Sequence, residues 1–368
     1  MIGYLKTLCH TIATIFIFIK LGEIHMRKPN VAILGATGAV GQEFIKLIED
    51  RQFPFENLKL LASARSAGTE LTVCGRTYVV EEATADSFEN VDIALFAGGS
   101  ISKTLAPEAV KRGAIVIDNS STFRMDPNVP LVVPEVNPED IDTHQGIIAN
   151  PNCSTIIMAL GLKPLHDLSP IKRVVVSTYQ AVSGAGKEGI DELDNQVSAH
   201  IQGKPMEAHI LPSASAPKHY PIAFNVIPQI DVFLDNDYTK EEMKMVNETQ
   251  KILHDDSIQV VPTTVRIPVY RSHSESVLVE TEAPVSVADF KAACEKFPGL
   301  VVNDNPQEQA YPMPLYTSGK DDCEIGRIRK DLYNDKGMNF WIAGDQIRKG
   351  AALNALQIAE YLVEHQSF

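Results

Sequence analysis

The chain has few cysteines, and no two of them form a closely spaced pair. Its five cysteines, Cys9, Cys74, Cys153, Cys294 and Cys323, are odd in number, and no C-x-x-C motif is present. A disulfide framework needs paired cysteines, and structural zinc sites usually contain closely spaced ligand pairs. We therefore expect neither disulfides nor a metal site. The cytoplasm, a reducing compartment, is the expected setting.

Positive charge is also scarce. The chain has 33 lysines and arginines against 47 aspartates and glutamates, a formal net charge of -14. Binding a nucleic-acid backbone requires clustered basic side chains, so a nucleic-acid partner is not expected. Any phosphate group that the protein binds should meet a few local cations. With 368 residues and an ordinary globular composition, the chain is expected to form two domains.

The N-terminal region lacks an apolar run of membrane-spanning length. Residues 12–19 are strongly apolar, with Lys6 before them and Lys20 after them, but no small-x-small cleavage site follows. The run is short for a bilayer span and incomplete as a signal peptide. We expect no membrane partner, and we interpret residues 1–25 as an apolar extension ahead of a functional start at Met26.

A glycine turn follows the first predicted strand. Residues 31–34 are apolar, residues 35–41 read G-A-T-G-A-V-G, and Phe44, Leu47 and Ile48 recur at helical spacing. Strand, glycine turn and helix together suit a dinucleotide pyrophosphate, although a purely structural turn would have the same pattern. Further apolar runs at 58–62, 91–97, 115–118 and 147–149 predict an open parallel sheet.

The end of the second predicted strand favours NADP over NAD. An NAD-binding domain usually has an acidic residue there, whereas this chain has Ser63, Ala64, Arg65 and Ser66. An arginine flanked by hydroxyls suits a 2′-phosphate, and a solvated loop arginine is the alternative. Residues 98–100, Gly-Gly-Ser, follow the third strand and are predicted to line the pyrophosphate or ribose.

Cys153 is the principal candidate nucleophile. It lies in N-P-N-C-S-T at 150–155, directly after a predicted strand. Proline disfavours helix in the residue before it, while Asn, Ser and Thr commonly begin helices, so Cys153 is predicted at a helix N-terminus. That position favours a thiolate. The alternative is a small buried hydrophobic residue.

The second half contains further polar candidates. Gln180 ends a predicted strand at 174–179 and could position a carbonyl oxygen or water, or simply bond a loop. His273 precedes a predicted strand at 276–280 and is a candidate base that titrates near neutrality. A capping-box pattern at Thr239 predicts a helix on which Glu241 and Lys244 form an i,i+3 ion pair. Residues 210–230 are predicted to be long ordered connections, and a final helix to pack on the first domain.

Together these motifs resemble the aspartate-β-semialdehyde dehydrogenase family. The resemblance rests on G-A-T-G-A-V-G at 35–41, S-A-R-S at 63–66, S-S-T-F-R at 120–124, N-P-N-C-S-T at 150–155, Q-A-V-S-G-A-G at 180–186, R-I-P-V at 266–269 with His273, and G-A-A-L-N at 350–354. It implies an α/β fold, an N-terminal Rossmann-like parallel sheet with an inserted α+β catalytic and dimerisation domain. The expected bounds are 26–153 for the NADP-binding domain, 154–345 for the inserted domain and 346–368 for the returning C-terminal helix. A homodimer and a role in lysine, threonine, methionine and diaminopimelate biosynthesis are also implied.

The resemblance also assigns residue roles. Cys153 would be the nucleophile, Gln180 would orient the intermediate, and His273 would be the acid and base. The implied substrate-binding residues are Arg124, Asn152, Glu241, Lys244 and Arg266. The implied NADP-binding residues are Gly35, Thr37, Gly38, Ala39, Val40, Gly41, Ser63, Arg65, Ser66, Ser183, Gly184 and Gln346. The implied reaction reduces L-4-aspartyl phosphate to L-aspartate 4-semialdehyde and phosphate, through a thioester and a thiohemiacetal on the cysteine.

Three alternatives remain open at this point. A related phosphorylating aldehyde dehydrogenase, such as N-acetylglutamyl-phosphate reductase, would share the nucleotide domain and the cysteine. An acetylated amine would not need an acid like Glu241, however. A non-catalytic NADP-binding sensor would keep the fold without the chemistry. A hydrolase using Cys153 and His273 would not need the glycine turn.

Overall fold

The structure is a computed structural model that describes residues 27–368. The predicted apolar extension and the predicted start at Met26 lie outside the described residues. No helix within the described part of the chain is both long and apolar enough to cross a membrane.

The first half forms a six-stranded parallel sheet. The strands of this half are β1 Val31–Leu34, β2 Leu58–Ala62, β3 Glu70–Val73, β4 Arg76–Val79, β5 Glu81–Glu82, β6 Ile93–Phe96, β7 Ile115–Asp118 and β8 Ile147–Ala149. The order in the sheet is β5-β2-β1-β6-β7-β8, and β3 and β4 form a separate hairpin. The central strands are fully buried, as expected when both faces of a parallel sheet are covered. The predicted strands at 31–34, 58–62, 115–118 and 147–149 are confirmed, and the one predicted at 91–97 is shorter.

The second half contains a six-stranded mixed sheet. Its strands are β9 Ile171–Gln180, β10 Gln259–Arg266, β11 His273–Thr281, β12 Leu300–Val302, β13 Cys323–Lys330 and β14 Gly337–Gly344. Their order in the sheet is β10-β9-β11-β14-β13-β12. The predicted strand at 276–280 was too short, because pairing of Ser274 with Tyr179 and of His273 with Gly344 extends the ladder. His273 therefore lies in the strand and not ahead of it. With the parallel first sheet, this mixed sheet confirms the predicted α/β class.

Helices connect and cover both sheets. The α-helices are α1 Ala39–Asp50, α2 Ser102–Lys111, α3 Cys153–Leu168, α4 Lys187–Ile201, α5 Lys240–Ile252, α6 Val287–Cys294, α7 Pro314–Thr317 and α8 Asn354–Glu364. Short 3₁₀ helices span Ala64–Ser66, Ala85–Phe88, Gly99–Ile101, Pro138–Thr143, Val182–Ala185 and Pro306–Glu308. The apolar α3 packs into the larger core beside the mixed sheet: its Gly161 leaves no room for a methyl group against Phe340 of β14.

The C-terminal helix differs from its predicted form. Residues Arg348–Leu353 form a π-helix, and the regular helix begins only at Asn354. A methyl group on Gly350 would lie 2.9 Å from the Cys153 Cβ, so the wide turn brings this backbone directly against Cys153. Beyond it, Leu356 and Leu362 of α8 share a core with Ile33 of β1.

Residues 210–230 contain no helix and no strand longer than an isolated bridge. They are nevertheless anchored, because Leu211, Ile222 and Ile227 are buried in a small core with Val182 and Leu193. The segment therefore forms a fixed wall next to the second sheet.

Candidate active site

Three predicted site residues lie at one end of the mixed sheet. β9 ends at Gln180, β10 ends at Arg266, and β11 begins at His273. Arg266 is registered with Gln180 in the parallel pair, and Ser274 with Tyr179 in the antiparallel pair. The strand register therefore brings together three side chains from distant parts of the sequence.

Cys153 faces this row from the first residue of α3. Asn152 caps the helix, since its Oδ1 accepts from the Ser154 and Thr155 N–H groups at 3.0 and 3.3 Å. The Cys153 Sγ lies 3.5 Å from the His273 Nε2. The predicted position at a helix N-terminus is confirmed, and the thiol is within reach of a histidine.

The prediction that this position favours a thiolate is wrong for the site by itself. Burial and the Glu241 carboxylate raise the pKa of Cys153 to about 12, against lowering contributions from Arg124, Arg266 and Lys244. Loss of solvation outweighs the three cations. The thiol therefore needs a neighbouring group to stabilise its ionised form.

His273 also departs from the expectation that it titrates near neutrality. Burial and the nearby Arg266 lower the pKa of His273 to about 3, although Glu241 opposes this. The imidazole is neutral at physiological pH. The Ala181 N–H donates to Nδ1 at 3.0 Å, which assigns the ring proton to Nε2. His273 thus presents an N–H donor to the space beside the sulfur.

Glu241 is the centre of the polar contacts opposite Cys153. Its Oε1 accepts from Asn152 Nδ2 at 2.9 Å and Gln180 Nε2 at 3.2 Å, and its Oε2 accepts from Lys244 at 2.9 Å. Burial raises its pKa, but the Lys244 charge and these three hydrogen bonds outweigh burial and lower the pKa of Glu241 to about 2. The predicted ion pair with Lys244 is confirmed, and Asp231 is a second partner of Lys244 at 3.2 Å.

Two buried arginines complete the site. Arg266 donates to the Ala181 carbonyl oxygen at 2.6 Å, and within the described chain its Nε has no hydrogen-bond partner. Gly184 lies against it, and a Cβ there would lie 2.7 Å from the Arg266 Nη1. Arg124 donates to Glu248 at 3.0 Å and to the Asn119 carbonyl oxygen at 2.8 Å.

Most of these groups, but not the fully buried His273, line one cavity of about 510 Å³. Its walls include the predicted Arg124, Asn152, Cys153, Gln180, Gly184, Glu241, Lys244 and Arg266. Sequence reasoning missed Glu188, Ser213 and Asp231, which also line it. It also missed Glu248, although the spacing of this residue from Glu241 and Lys244 on one helix was a usable signal. The loop residues Ser213 and Asp231 had no such signal.

The predicted cofactor residues 35–41 lie elsewhere, at the end of β1. Gly35 has φ +85°, and a Cβ there would lie 2.5 Å from the Ala97 carbonyl oxygen. A Cβ on Gly41 would lie 2.1 Å from the Gly35 carbonyl oxygen, whereas Gly38 has room for one. Thr37, Ala39 and Val40 complete the turn into α1. The close backbone approach and the open helix N-terminus fit a dinucleotide pyrophosphate.

The other predicted cofactor residues are divided between two places. Arg65 and Ser66 lie in the 3₁₀ turn after β2, with Ser63 directly before it, and the Arg65 side chain is exposed. Gln346, in contrast, is buried, and its amide donates to Ser183 Oγ and accepts from the Ser272 N–H at 2.7 Å. Because both its amide oxygen and its amide nitrogen form hydrogen bonds, Gln346 holds the backbone at Ser272, directly before His273, in place. Ser272 has φ +77°, so this segment needs such support.

Two further polar side chains lie on β9 and β11, each two residues along its strand from Gln180 or His273. Glu275 on β11 is opposite Thr178 on β9, and Thr178 Oγ1 donates to Gln180 Oε1 at 3.2 Å. Glu275 is fully buried, and neither of its carboxyl oxygens has a hydrogen-bond partner among the described residues. Burial raises the pKa of Glu275 well above its usual value. Burial therefore favours the protonated form of this carboxyl in the folded protein.

Replacing Glu275 with glutamine should make the protein progressively more stable than the native chain as pH rises. Above about pH 4.3 the unfolded chain releases the proton that the folded chain retains, which costs up to about 1.4 kcal/mol of folding free energy per pH unit. Glutamine does not titrate, so this loss disappears. Thermal midpoints from pH 5 to 8 measure it, with Glu280→Gln, farther along the same strand, as control. Parallel curves for the Glu275→Gln and native proteins would contradict the protonated state.

Two family models match the chain. "Semialdehyde dehydrogenase, NAD binding domain" matches residues 30–144, and "Semialdehyde dehydrogenase, dimerisation domain" matches residues 162–349. A Bacillus subtilis (strain 168) protein named aspartate-semialdehyde dehydrogenase is 54% identical over 335 residues, covering 90% of this chain and 97% of that protein. A protein of the same name from Aquifex aeolicus (strain VF5) is 54% identical over 339 residues, covering 91% and 98%.

Solved structures give the same result. Aspartate semialdehyde dehydrogenase II from Vibrio cholerae, solved with and without ASA, is 47% identical and covers 92% of this chain and 99% of its own, with a TM-score of 0.87. Aspartate semialdehyde dehydrogenase with NADP from Candida albicans is 25% identical and covers 91% and 98%, with a TM-score of 0.70. The similarity therefore extends over both halves of the described chain.

Proposed function

The chain belongs to the aspartate-semialdehyde dehydrogenase family, and we propose that it interconverts L-4-aspartyl phosphate and L-aspartate 4-semialdehyde plus phosphate with a nicotinamide cofactor. The observation that carries this proposal is the convergence of Cys153, Gln180, Glu241 and Arg266 on one cavity, with the buried His273 Nε2 at 3.5 Å from the Cys153 sulfur. A nucleophile, a proton-carrying group and two oppositely charged binding groups are what the reaction on a charged amino-acid aldehyde requires.

Cys153 and His273 perform the covalent steps in this proposal. In the oxidative direction the Cys153 thiol adds across the aldehyde C=O bond: the sulfur bonds to the carbon, the thiol proton passes to the oxygen, and the N–H on His273 Nε2 donates a hydrogen bond to that oxygen. The nicotinamide, when bound, supplies the acceptor for the hydride that leaves this carbon, and the hydroxyl proton is released to solvent. The resulting thioester stays on Cys153 until hydrogen phosphate attacks its carbonyl carbon; the C–S bond breaks, and the phosphate proton returns to the sulfur. Biosynthesis follows the same steps in reverse.

Opposite charges select the substrate. Arg266 is a buried guanidinium suited to the substrate carboxylate, and Glu241 is an ionised carboxylate suited to the ammonium. Gln180, 3.3 Å from the His273 Nε2, is placed to orient the oxygen on the reacting carbon. Arg124 and Lys244 provide the cations that bind phosphate. Asn152, whose side chain donates to Glu241, caps the N-terminus of α3, where Cys153 lies.

NADP is the proposed form of the cofactor. Support comes from the exposed Arg65 and the hydroxyls of Ser63 and Ser66 after β2, where no acidic residue is present. The glycine turn at 35–41 would hold the pyrophosphate. Ser183 and Gly184, at the start of the loop beside His273, would face the nicotinamide end.

Arg65→Ala should therefore weaken NADP binding by about 10- to 100-fold and NAD binding much less. The reason is the loss of a charge-assisted hydrogen bond to the 2′-phosphate, worth about 1.5–3 kcal/mol. Dissociation constants from fluorescence titration of both cofactors measure the difference. Arg76→Ala, which removes an exposed arginine in β4, is the control. An equal loss for NADP and NAD would remove the assignment of Arg65 to the 2′-phosphate.

We further propose a homodimer assembled through the second domain, which the dimerisation-domain family model matches. The proposed setting is the cytoplasm, and the proposed role is the supply of semialdehyde for lysine, threonine, methionine and diaminopimelate. The residue roles and domain bounds given above remain predictions.

The deciding experiment measures NADPH formation from L-aspartate 4-semialdehyde and NADP⁺, with phosphate present and omitted. Rapid turnover that requires phosphate is the expected result, because phosphate must cleave the thioester. N-acetylglutamate 5-semialdehyde is the comparison substrate, and preference for it would favour the related reductase. Tight NADP binding without turnover of either aldehyde would favour a sensor.

A further inference from the structure

Glu248 is a buried carboxylate that the mechanism above does not use. Its side chain is only 2% exposed. On α5 it lies seven residues after Glu241 and four after Lys244, so these three charged side chains share one face of the helix. A carboxylate with so little solvent contact needs specific partners.

Both oxygens of Glu248 are bonded to the site. Oε1 accepts from the Arg124 Nη1 at 3.0 Å, and Oε2 accepts from the Asn152 backbone N–H at 2.6 Å. Arg124 follows β7 of the first sheet, whereas Asn152 is the residue directly before Cys153. One carboxylate therefore sets the separation between a cavity-lining guanidinium and the peptide that carries the nucleophile.

The same helix holds the backbone around Arg124. Lys251, one turn after Glu248, donates to the carbonyl oxygens of Arg124, Asp126 and Val129 at 2.8, 2.7 and 2.8 Å. Two side chains of α5 thus bind one loop: Glu248 binds the Arg124 side chain, and Lys251 binds the backbone around it. Together they hold both the backbone and the guanidinium of Arg124 in place.

Asn152 is also held from two sides. Glu248 binds its N–H, and Glu241 accepts from its side-chain Nδ2 at 2.9 Å. Both carboxylates belong to α5. The start of α3, and with it the Cys153 sulfur, is therefore positioned directly by this one helix.

We propose that Glu248 is a positioning residue for the phosphate step. It holds Arg124 at a fixed place relative to Cys153, so that an anion bound by the remaining guanidinium N–H groups stands within reach of the acyl carbon on the sulfur. The inference rests on the proposed function, in which phosphate cleaves the thioester. It adds a residue to which none of the family resemblances above gave a role.

A different role for Glu248 would have the opposite consequence. If the carboxylate served only as a counter-charge, its removal would leave Arg124 more positive and anion binding would become tighter. If it positions Arg124, its removal releases the guanidinium and anion use becomes poorer. The sign of the change in phosphate KM therefore separates the two roles.

The test compares Glu248→Gln with the native full chain in the NADPH assay, with phosphate varied at saturating semialdehyde and NADP⁺. Glutamine has the same shape, but its NH₂ group would face either the Arg124 N–H or the Asn152 N–H, which are both donors, so one of these two hydrogen bonds is lost. We expect the phosphate KM to rise by about tenfold or more, with much smaller changes in the semialdehyde KM. An unchanged or lowered phosphate KM would overturn the proposal.

Glu242→Gln is the matched control. Glu242 lies on the same helix, is buried, and accepts from the Thr239 and Thr264 N–H groups at 2.7 and 3.0 Å, away from Arg124. Its phosphate KM should stay at the native value. Glu248→Asp keeps the charge but shortens the side chain. It should raise the phosphate KM if position matters, and it provides the answer if the glutamine variant does not fold.

The two proposals fail in distinguishable ways. Native protein that forms NADPH without needing phosphate, or forms none, contradicts the proposed function. Native protein that needs phosphate, with a Glu248→Gln variant of unchanged or lower phosphate KM, contradicts only the positioning role.

Discussion

Cys153→Ala is expected to abolish NADPH formation, with a fall in turnover of at least about 10⁴-fold, the size of effect that follows removal of a covalent nucleophile. No other described cysteine lies within hydrogen-bond reach of His273, so no second thiol could replace the missing one. Cofactor affinity should be retained, because the glycine turn at 35–41 does not contact the thiol. Stopped-flow and steady-state rates at saturating substrates, combined with a cofactor titration, measure both quantities.

Cys74→Ala is the matched control for this variant. Cys74 is an exposed free cysteine in the turn between β3 and β4, a hairpin separate from the mixed sheet. It should keep full activity. A Cys153→Ala protein that retained turnover would rule out the thioester and leave the NADP-binding sensor or a different chemistry as the better explanation.

His273→Ala should lower kcat by about 10²- to 10⁴-fold, the usual contribution of a positioned proton-transfer group. The semialdehyde KM should change far less, because Arg266 and Glu241, not the imidazole, bind the charged ends of the substrate. The N–H on Nε2 is the group that is lost, and it faces the sulfur at 3.5 Å. Steady-state kinetics of the variant separate kcat from KM.

The pH profile of the native protein provides an independent check on His273. Burial and Arg266 lower its pKa to about 3, so the imidazole stays neutral from mildly acidic pH upward. The kcat/KM profile should therefore have no inflection from this residue near pH 6.5, about where an ordinary histidine titrates.

The exposed His365 offers a control for the His273→Ala variant: His365→Ala is expected to have native kinetics. A pure loss of substrate affinity in His273→Ala would contradict the proposed part of the His273 Nε2–H in the covalent steps.

The sequence was sufficient for the local features of the fold. Four of the strands in the first sheet have their predicted bounds, because fully buried parallel strands are continuous apolar runs with turn residues at both ends. The helix beginning at Cys153 and the capping box at Thr239 were also predictable, since proline, asparagine and threonine act within a few residues of the helix end. Periodicity and caps are short-range properties that a single segment contains.

The candidate residues of the site were predictable individually, but their arrangement was not. Gln180, Arg266 and His273 meet because the registers of β9, β10 and β11 align their ends, and register depends on pairing between distant segments. The roles of Glu248 as a bridge and of Gln346 as a brace depend on the same long-range packing. Their hydrogen bonds join residues 74 to 163 positions apart.

By itself the sequence determined the parallel sheet, the glycine turn and the position of Cys153 at the start of a helix, since each follows from steric and hydrogen-bonding preferences within a few neighbouring residues. Only the tertiary structure decided the ionisation of the site. A pKa depends on burial and on charges brought close by folding, so Cys153 and His273 have pKa values of about 12 and about 3, far from what helix position and residue type had predicted. Tertiary packing also produced the π-helix, whose Gly350 lies against Cys153.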